Sequence, residues 1–534
     1  MRMKSAIEVL EIPRLELDAL LKNARTALPD EDYRRLKAVV DGLSYLTELI
    51  ANKDTTIRDL RRLLFPFLTE KTREVLKRAG IQETQTPAGV PDNPAKDKEK
   101  KPGHGRNGAD AYHGAQRIVI PHAELHPGDV CPGCVKSKVY VQQEARRLVR
   151  ISGQAPLTAT VYELERLRCN LCGEVYTAQT PEGVGEEKYD ETAAAMIAQM
   201  KYGSGMPFHR LERLEENMGI PLPAATQWEI VEEAAELIRP ANEELIRQAA
   251  QGEVLHNDDT SMRVLHLARE PADERTGVFT SGVVSVADGR RIALFFTGRQ
   301  HAGENLADVL QRRSAALPSP VQMCDALSRN TPKLPEGAEI LLANCLAHGR
   351  RQFVEVAANF PAECRYVLEM LGEVYRHDAA ARQQKMTPEE RLRFHQQYSR
   401  PIMDKLHSWM ESQLAERKTE PNSGLGQAIG YMLRHWQPLT LFLRRVGAPL
   451  DNNLVERSLK KAILHRKNAL YYKTENGARV GDLYMSLIHT CELNGVHSLD
   501  YLTELQRHAE HLRRSPAAWM PWNYRDALAQ ALEL

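Results

Sequence analysis

Val254-Leu255-His256-Asn257-Asp258-Asp259-Thr260 opens the run of sequence on which the fold reading turns. Its apolar start reads as a strand, and after a polar interruption the pattern continues through Met262-Arg263-Val264-Leu265-His266-Leu267. A second strand is expected over Val278-Phe279-Thr280-Ser281-Gly282-Val283-Val284-Ser285-Val286. Ala287-Asp288-Gly289-Arg290 then reads as a hairpin turn, because Asp-Gly tolerates left-handed backbone. It leads into Ile292-Ala293-Leu294-Phe295-Phe296. A helix around Glu304 to Arg312 and a further strand through Val321-Gln322-Met323-Cys324-Asp325 complete the run. Two acids interrupt or end these apolar strands, Asp258 and Asp325.

Three antiparallel strands, a helix and a fourth strand match the start of a ribonuclease H-like fold. In that arrangement one acid lies on the first strand and another just after the fourth, which is the order of Asp258 and Asp325. A third acid, Glu456, lies in Asp451-Asn452-Asn453-Leu454-Val455-Glu456-Arg457-Ser458-Leu459-Lys460. This segment reads as a helix that Asp451 or Asn452 can cap, and capping is preferred to metal binding for Asp451. Carboxylates in such settings can hold two Mg²⁺ ions, or Mn²⁺, roughly 3.5–4 Å apart, for phosphodiester chemistry. Asp258 would bridge both ions, with Asp325 and Glu456 each completing one site. On a strand Asp259 points away from Asp258, which favours a structural or solvated role. Asp288 belongs to its turn.

The chain has 534 residues, enough for several domains. Its 71 basic and 71 acidic residues cancel, so net charge does not advertise a nucleic-acid binder. Charge is segregated, however. Arg444, Arg445, Arg457, Lys460, Lys461, Arg466 and Lys467 cluster near Asp451 and Glu456. Such a run is either a solvated face or a phosphate-binding surface. Lys460 follows Glu456 by one helical turn on the same face and, with Arg457, is a candidate for a phosphate near the metals. No stretch approaches the roughly 18 apolar residues that span a bilayer. Met1 to Leu17 is charged throughout, so no secretory signal is expected and a cytoplasmic protein is the default. The eight cysteines then point to metal or free thiols rather than disulfides.

The remaining segments suggest a multidomain α+β chain. Residues 1–90 read as helical. Leu43, Leu46, Ile50, Ile57, Leu60 and Leu64 give about three heptads, read as a short self-associating coiled coil or as a helix packed within its own domain. Residues 91–118 are rich in Pro, Gly and Lys and read as a flexible linker. Within 119–180, Cys131-Pro132-Gly133-Cys134 and Cys169-Asn170-Leu171-Cys172 present four thiolates to one structural Zn²⁺, as in a zinc ribbon. The alternative is two unrelated thiol pairs. Val139–Val141 and Leu157–Tyr162 are expected strands between the knuckles. Residues 181–250 read as helices. His209–Asn217, a Gly219 turn and Ala224–Ile238 resemble a helix-turn-helix, but Glu229, Glu232, Glu233 and Glu236 would repel DNA, so a packed helical pair is preferred. The catalytic core would comprise 251–342 and 446–480, interrupted by a helical insertion over 343–445 and followed by C-terminal helices over 481–534.

At this point the chain resembles transposases of the insertion sequence 66 family. The likeness includes Arg61-Arg62-Leu63-Leu64-Phe65, the linker, the two knuckles and His256-Asn257-Asp258-Asp259-Thr260. It extends through Asn344-Cys345-Leu346-Ala347-His348-Gly349-Arg350-Arg351-Gln352-Phe353, Asp451 to Arg457, Arg466-Lys467-Asn468, Ser486-Leu487-Ile488 and Leu493-Asn494-Gly495-Val496. The most specific parts are the Asp-Asn-Asn-x-x-Glu-Arg and Cys-x-Ala-His-x-Arg-Arg-x-Phe blocks. Two departures stand out. Asp325 is followed by Ala326-Leu327-Ser328 where the family often has Gly-Tyr, and Asp259 stands where Glu is common. The resemblance implies a DDE-type transposase with Asp258, Asp325 and Glu456 as its triad. Its partners would be double-stranded DNA at element ends and target, further copies of the chain, and in many members two small accessory proteins. His348, Arg350 and Arg351 join the basic helix as candidate DNA contacts or buried supports. A different ribonuclease H-like nuclease and an inactive DNA-binding regulator derived from a transposase are the competing readings.

Overall fold

The computed structural model describes residues 24–25, 29–33, 36–37, 109–111, 117–142, 148–151, 155–168, 170, 172, 174–185, 187–268 and 275–532. The heptads at 43–64, most of the expected linker and Cys169 lie outside the described residues. The chain divides into two compact units, Met1–Gly80 and Ile81–Leu534. In the first, residues 30–33 and 36–37 are helical. The second unit carries the elements that follow.

Its knuckle region holds a bridge between Val130 and Lys138 around the first Cys pair, and an antiparallel pair, β1 (Arg166–Arg168) and β2 (Val175–Thr177), around the second. The strands expected at Val139–Val141 and Leu157–Tyr162 do not form. Tyr140 and Val161 stay exposed. β-propensity there finds no neighbouring surface to cover; the short pairing follows the tight Cys turns instead.

Three helices come next: α1 (Glu191–Ala198), α2 (Phe208–Asn217) and α3 (Ala224–Ala249). Asp190 caps α1 by accepting the Ala193 N–H at 2.9 Å. Gly219 supplies the left-handed turn before α3. α3 buries Val231, Ala234, Ala235, Ile238, Ala241, Leu245 and Ala249 at helical spacing. Its apolar stripe is committed to the core.

The central sheet contains β3 (Val254–Ser261), β5 (Phe279–Ala287), β6 (Arg290–Gly298), β7 (Val321–Cys324) and β8 (Leu341–Asn344). Their order is β6-β5-β3-β7-β8. β3, β5 and β6 are antiparallel neighbours, while β7 and β8 run parallel to β3. Asp288 and Gly289 both adopt positive φ at the β5–β6 hairpin, as the Asp-Gly reading requires. Two features differ from expectation. Met262–Leu267 does not prolong the first strand; β4 (Val264–His266) leaves the sheet and pairs with a distant strand, β9 (Tyr472–Thr474). β8 was also unforeseen, because helical sequence was expected from Ala343 onward. Its apolar run is short, and only a parallel neighbour makes it a strand.

Between β6 and β7 lies α4 (Ala302–Leu310). After β8 the chain is helical through α5 (Leu346–Val356), α6 (Pro361–Gln383), α7 (Pro388–Phe394), α8 (Arg400–Ala415), α9 (Gly424–Arg434) and α10 (Trp436–Leu439). Buried Asp378 ties this region together through Arg382, Arg391 and His395. α11 (Asn453–Ala469) then packs on the sheet, and α12 (Glu475–Leu493) runs along β6. α13 (Ser498–Arg507), α14 (Ala509–Arg514) and α15 (Tyr524–Leu532) close the unit. No described helix is long and apolar enough to cross a membrane.

β6 is an edge strand, and α12 satisfies its free backbone groups with side chains. The N–H groups of Arg291, Ala293, Phe295 and Thr297 donate to Asn494 Oδ1, Thr490 Oγ1, Ser486 Oγ and Asp482 Oδ2 at 3.2, 3.1, 3.0 and 2.6 Å. Every second strand residue advances roughly 6.6 Å and every fourth helix residue about 6 Å, so the two repeats stay in step. Covering the edge this way blocks sheet-to-sheet pairing.

Candidate active site

Asp258 lies on β3 directly opposite Gly282 of β5. In the parallel register, Val254 pairs with Val321 and His256 with Met323. Two residues further along, the same register brings Asp258 beside Asp325, just past the end of β7. One side chain spans both. Asn330 Nδ2 donates to Asp258 Oδ1 at 3.3 Å and to Asp325 Oδ1 at 2.5 Å. Asn330 is fully buried. Its carbonyl accepts from Asn257 Nδ2 and Gln322 Nε2, each at 2.7 Å. Nothing in the sequence pattern singled out Asn330, which lies in a short 3₁₀ turn after the second acid.

The third carboxylate comes from the first turn of α11. Glycine opposite Asp258 is what lets this helix approach. A Cβ at Gly282 would meet Leu459 Cδ2 at 3.0 Å and Val455 Cγ2 at 3.2 Å. The helix start is tethered by Asn452, which is fully buried. Its Nδ2 donates to the Asn257 carbonyl at 3.1 Å, and its Oδ1 lies 3.0 Å from His256 Nδ1. With Nδ2 so committed, Oδ1 is the acceptor and the ring nitrogen carries the proton. Burial drives His256 down to about 4, so this ring is neutral. Both polar atoms of the Asn452 side chain are therefore committed inside the fold. Asp451 Oδ1 accepts the Asn453 N–H at 3.2 Å in the turn before the helix, whose N-cap residue is Asn452.

Burial pushes the Asp258 carboxyl up to about 7, and the charges of Asp325, Asp259 and Glu456 push the same way. Asp325 and Glu456 thus lie within electrostatic reach of Asp258, and a cation is a natural counter-charge for them. Oxygen ligands from Asp258, Asp325 and Glu456 suit Mg²⁺ or Mn²⁺. Asp259 points to the opposite face of the sheet. It is almost fully buried, with His301 Nδ1 at 2.8 Å and Arg329 at 3.3 Å, so it braces the turn that carries Asn330.

The expected cationic residues divide. Arg457, Lys460 and Lys467 are exposed and share one face of α11 with Asn453 and Leu464. Lys461 instead pairs with Glu492 at 3.0 Å. Arg466 bonds Thr260 Oγ1 at 3.1 Å and Ser261 Oγ at 2.7 Å, fastening α11 to the end of β3. Arg350 is buried and Arg351 half-buried. His348 Nδ1 lies 3.9 Å from Glu456 Oε1.

In the knuckle region, Cys131 N–H donates to the Ser137 carbonyl at 2.7 Å, and Val135 takes a positive φ. The Cys134 thiol is lowered, first by the backbone N–H groups of Lys136 and Ser137 and then by Cys131. N–H donors turned on a thiol fit a metal thiolate. Cys172 is exposed.

The family described as Transposase IS66 family matches residues 187–480. The chain is also similar to the uncharacterized protein y4hP of Sinorhizobium fredii (strain NBRC 101917 / NGR234). Identity is 26% over 354 residues, covering 62% of each protein. A second relative, the uncharacterized protein y4jD of the same strain, is 26% identical over 357 residues, 63% of this chain and 67% of that protein. The match therefore spans less than two thirds of y4hP.

Proposed function

The chain belongs to the Transposase IS66 family, and on that premise we propose that it cleaves DNA at the ends of an insertion element and joins them to target DNA. Asp258, Asp325 and Glu456 are the metal-holding carboxylates of this reading. When bound, two Mg²⁺ ions would supply Lewis-acid stabilisation of the leaving oxygen and a more acidic water or 3′-hydroxyl. The protein's own part is to align those carboxylates and hold the duplex. Asn330 ties Asp258 to Asp325, Asn452 fixes the start of α11, and Arg466 fixes its end. Arg457, Lys460 and Lys467 offer an exposed cationic stripe to phosphates beside the acids, and half-buried Arg351 lies on α5, the helix that bears His348.

The observation that supports this reading is the Asn330 bridge between Asp258 on β3 and Asp325 past the end of β7, with Glu456 of α11 within electrostatic reach of Asp258. The strand order β6-β5-β3-β7-β8, with three antiparallel members followed by two parallel ones, supports a ribonuclease H-like core. In this scheme residues 251–342 and 446–480 form that core, 343–445 are a helical insertion, and 119–180 are a Cys131–Cys134–Cys169–Cys172 zinc ribbon. Residues 1–90 serve self-association, and accessory proteins act with the assembled complex.

A supercoiled plasmid carrying the DNA that flanks the coding sequence, incubated with the full chain and Mg²⁺, tests the proposal. Cleavage at the element ends, lost in Asp258→Asn and Glu456→Gln, is expected. Cleavage that survives Asp325→Ala would remove that residue from the site. Binding without cleavage under Mg²⁺ or Mn²⁺ would favour a DNA-binding regulator.

A further inference from the structure

Glu456 has a second set of neighbours that the carboxylate cluster does not explain. Ligand-type atoms of Cys345, His348 and Glu456 all lie within 4.8 Å of one another. His348 Nδ1 and Glu456 Oε1, 3.9 Å apart, are both buried and have no hydrogen-bond partner. Two facing orphan atoms of this kind leave a desolvation cost uncompensated unless something sits between them. Cys345 is fully buried, and its Sγ accepts the Asn452 N–H at 3.3 Å.

We propose that Cys345, His348 and Glu456 form a binding site for a thiophilic divalent cation of the Zn²⁺ class. Local structure builds it. Cys345 precedes α5 and His348 is the third residue of that helix, so both project from its first turn. Glu456 projects from the first turn of α11. The Leu346 N–H donates to the Leu450 carbonyl at 2.9 Å, which locks the two helix starts together. A thiolate, an imidazole and a carboxylate are a ligand set for Zn²⁺ and a poor one for Mg²⁺, which favours oxygen alone. Metal–ligand bonds near 2.0 Å put tetrahedral N and O ligands about 3.3 Å apart, so the His348–Glu456 gap of 3.9 Å needs to close by roughly half an ångström. One thiolate and one carboxylate neutralise a divalent charge, leaving a buried complex with no net charge. Binding sends the Cys345 thiol proton to solvent, and three protein ligands leave a fourth position for water.

The cation site stands without the transposition reading. That reading adds one consequence: Glu456 is shared between a thiophilic ion and the carboxylates of Asp258 and Asp325. Co²⁺ serves as the spectroscopic probe. Full-length chain with Cys131→Ser plus Cys134→Ser, which disables the knuckle, is expected to bind Co²⁺ with a thiolate charge-transfer band. Cys345→Ser added to that background should abolish the band, and His348→Ala should weaken Co²⁺ binding at least about tenfold. Asp258→Asn should leave the band in place while abolishing any Mg²⁺-dependent DNA cleavage, which separates the two proposals. Because the knuckle variant can misfold, zinc is also counted in the otherwise unaltered chain, where Cys345→Ser and His348→Ala should each remove one zinc. No thiolate band in a folded knuckle variant, or a zinc count unchanged by both substitutions, overturns the site.

Discussion

His256 Nδ1 lies 3.0 Å from Asn452 Oδ1, a single buried contact that joins the strand bearing Asp258 to the start of the helix bearing Glu456. The same Asn452 side chain donates to the Asn257 carbonyl. The relative placement of two of the three acids therefore depends on a residue that is itself neither acidic nor exposed.

Asn452→Ala leaves a ring N–H and a backbone carbonyl buried without partners. A loss of about 2–4 kcal/mol is expected in urea unfolding of the full chain. A change under about 0.5 kcal/mol would show that water replaces the amide and that the tether is weak.

Gly282→Val fills the space between β5 and α11, where even a Cβ meets Leu459 and Val455 at 3.0–3.2 Å. Overpacking of this kind costs about 1–3 kcal/mol. Because the helix must shift away from Asp258, Mg²⁺ affinity should fall more than folding stability does, and Gly282→Ala should be milder. Isothermal titration beside thermal unfolding reads both, and equal Mg²⁺ affinity in the Val variant would refute the packing argument.

Metal uptake should depend on pH through Asp258. Burial first, and then the charge of Asp325, raise its carboxyl to about 7. Below that pH the empty site is protonated, and a cation must displace the proton. Mg²⁺ binding should release close to one proton near pH 6 and almost none above about pH 8.5, with affinity declining as pH falls through 7. Titrations in two buffers of different ionisation enthalpy measure the release. Proton release that is flat from pH 6 to 8.5 contradicts the assignment.

Asp482 offers a pH test of folding away from the acids. Burial pushes its carboxyl up to about 7 against the two hydrogen bonds from Thr297. A pKa raised from 3.8 means that between about pH 4 and 7 the folded state holds a proton that the unfolded state has lost. Stability contributed here is present at low pH and falls as pH rises through 7. Asp482→Asn keeps an acceptor for the Thr297 N–H without the charge. It should gain on the order of 2–4 kcal/mol relative to the parent at pH 8 and little at pH 4. A variant whose pH profile parallels the parent's would exclude Asp482 as the source.

Much of the core was readable from local pattern. The Asp-Gly turn at 288–289, the two flanking strands, the helix after them and the strand ending at Cys324 follow from alternation and turn chemistry. So does the position of each acid along the chain. Other features carry a signal that is visible only afterwards. Asp482, Ser486, Thr490 and Asn494 recur every four residues along α12 and its C-cap, yet a polar stripe on a helix ordinarily reads as a solvent face. Arg466 and Lys461 looked like free cations until their partners on β3 and α12 were known.

The sequence by itself determined the β5–β6 hairpin with its turn, the helix and strand that follow it, and the order Asp258, Asp325, Glu456, because these depend on side chains a few residues apart. Only the tertiary structure decided that β4 leaves the sheet for β9 and that β8 joins it. It also decided that Asn330 bridges two acids, that Asn452 is buried, and that Cys345 and His348 meet Glu456. Each of these joins residues from separate segments or turns on which surface a side chain meets. Burial and hydrogen bonding settle such pairings only once the helices and strands have packed.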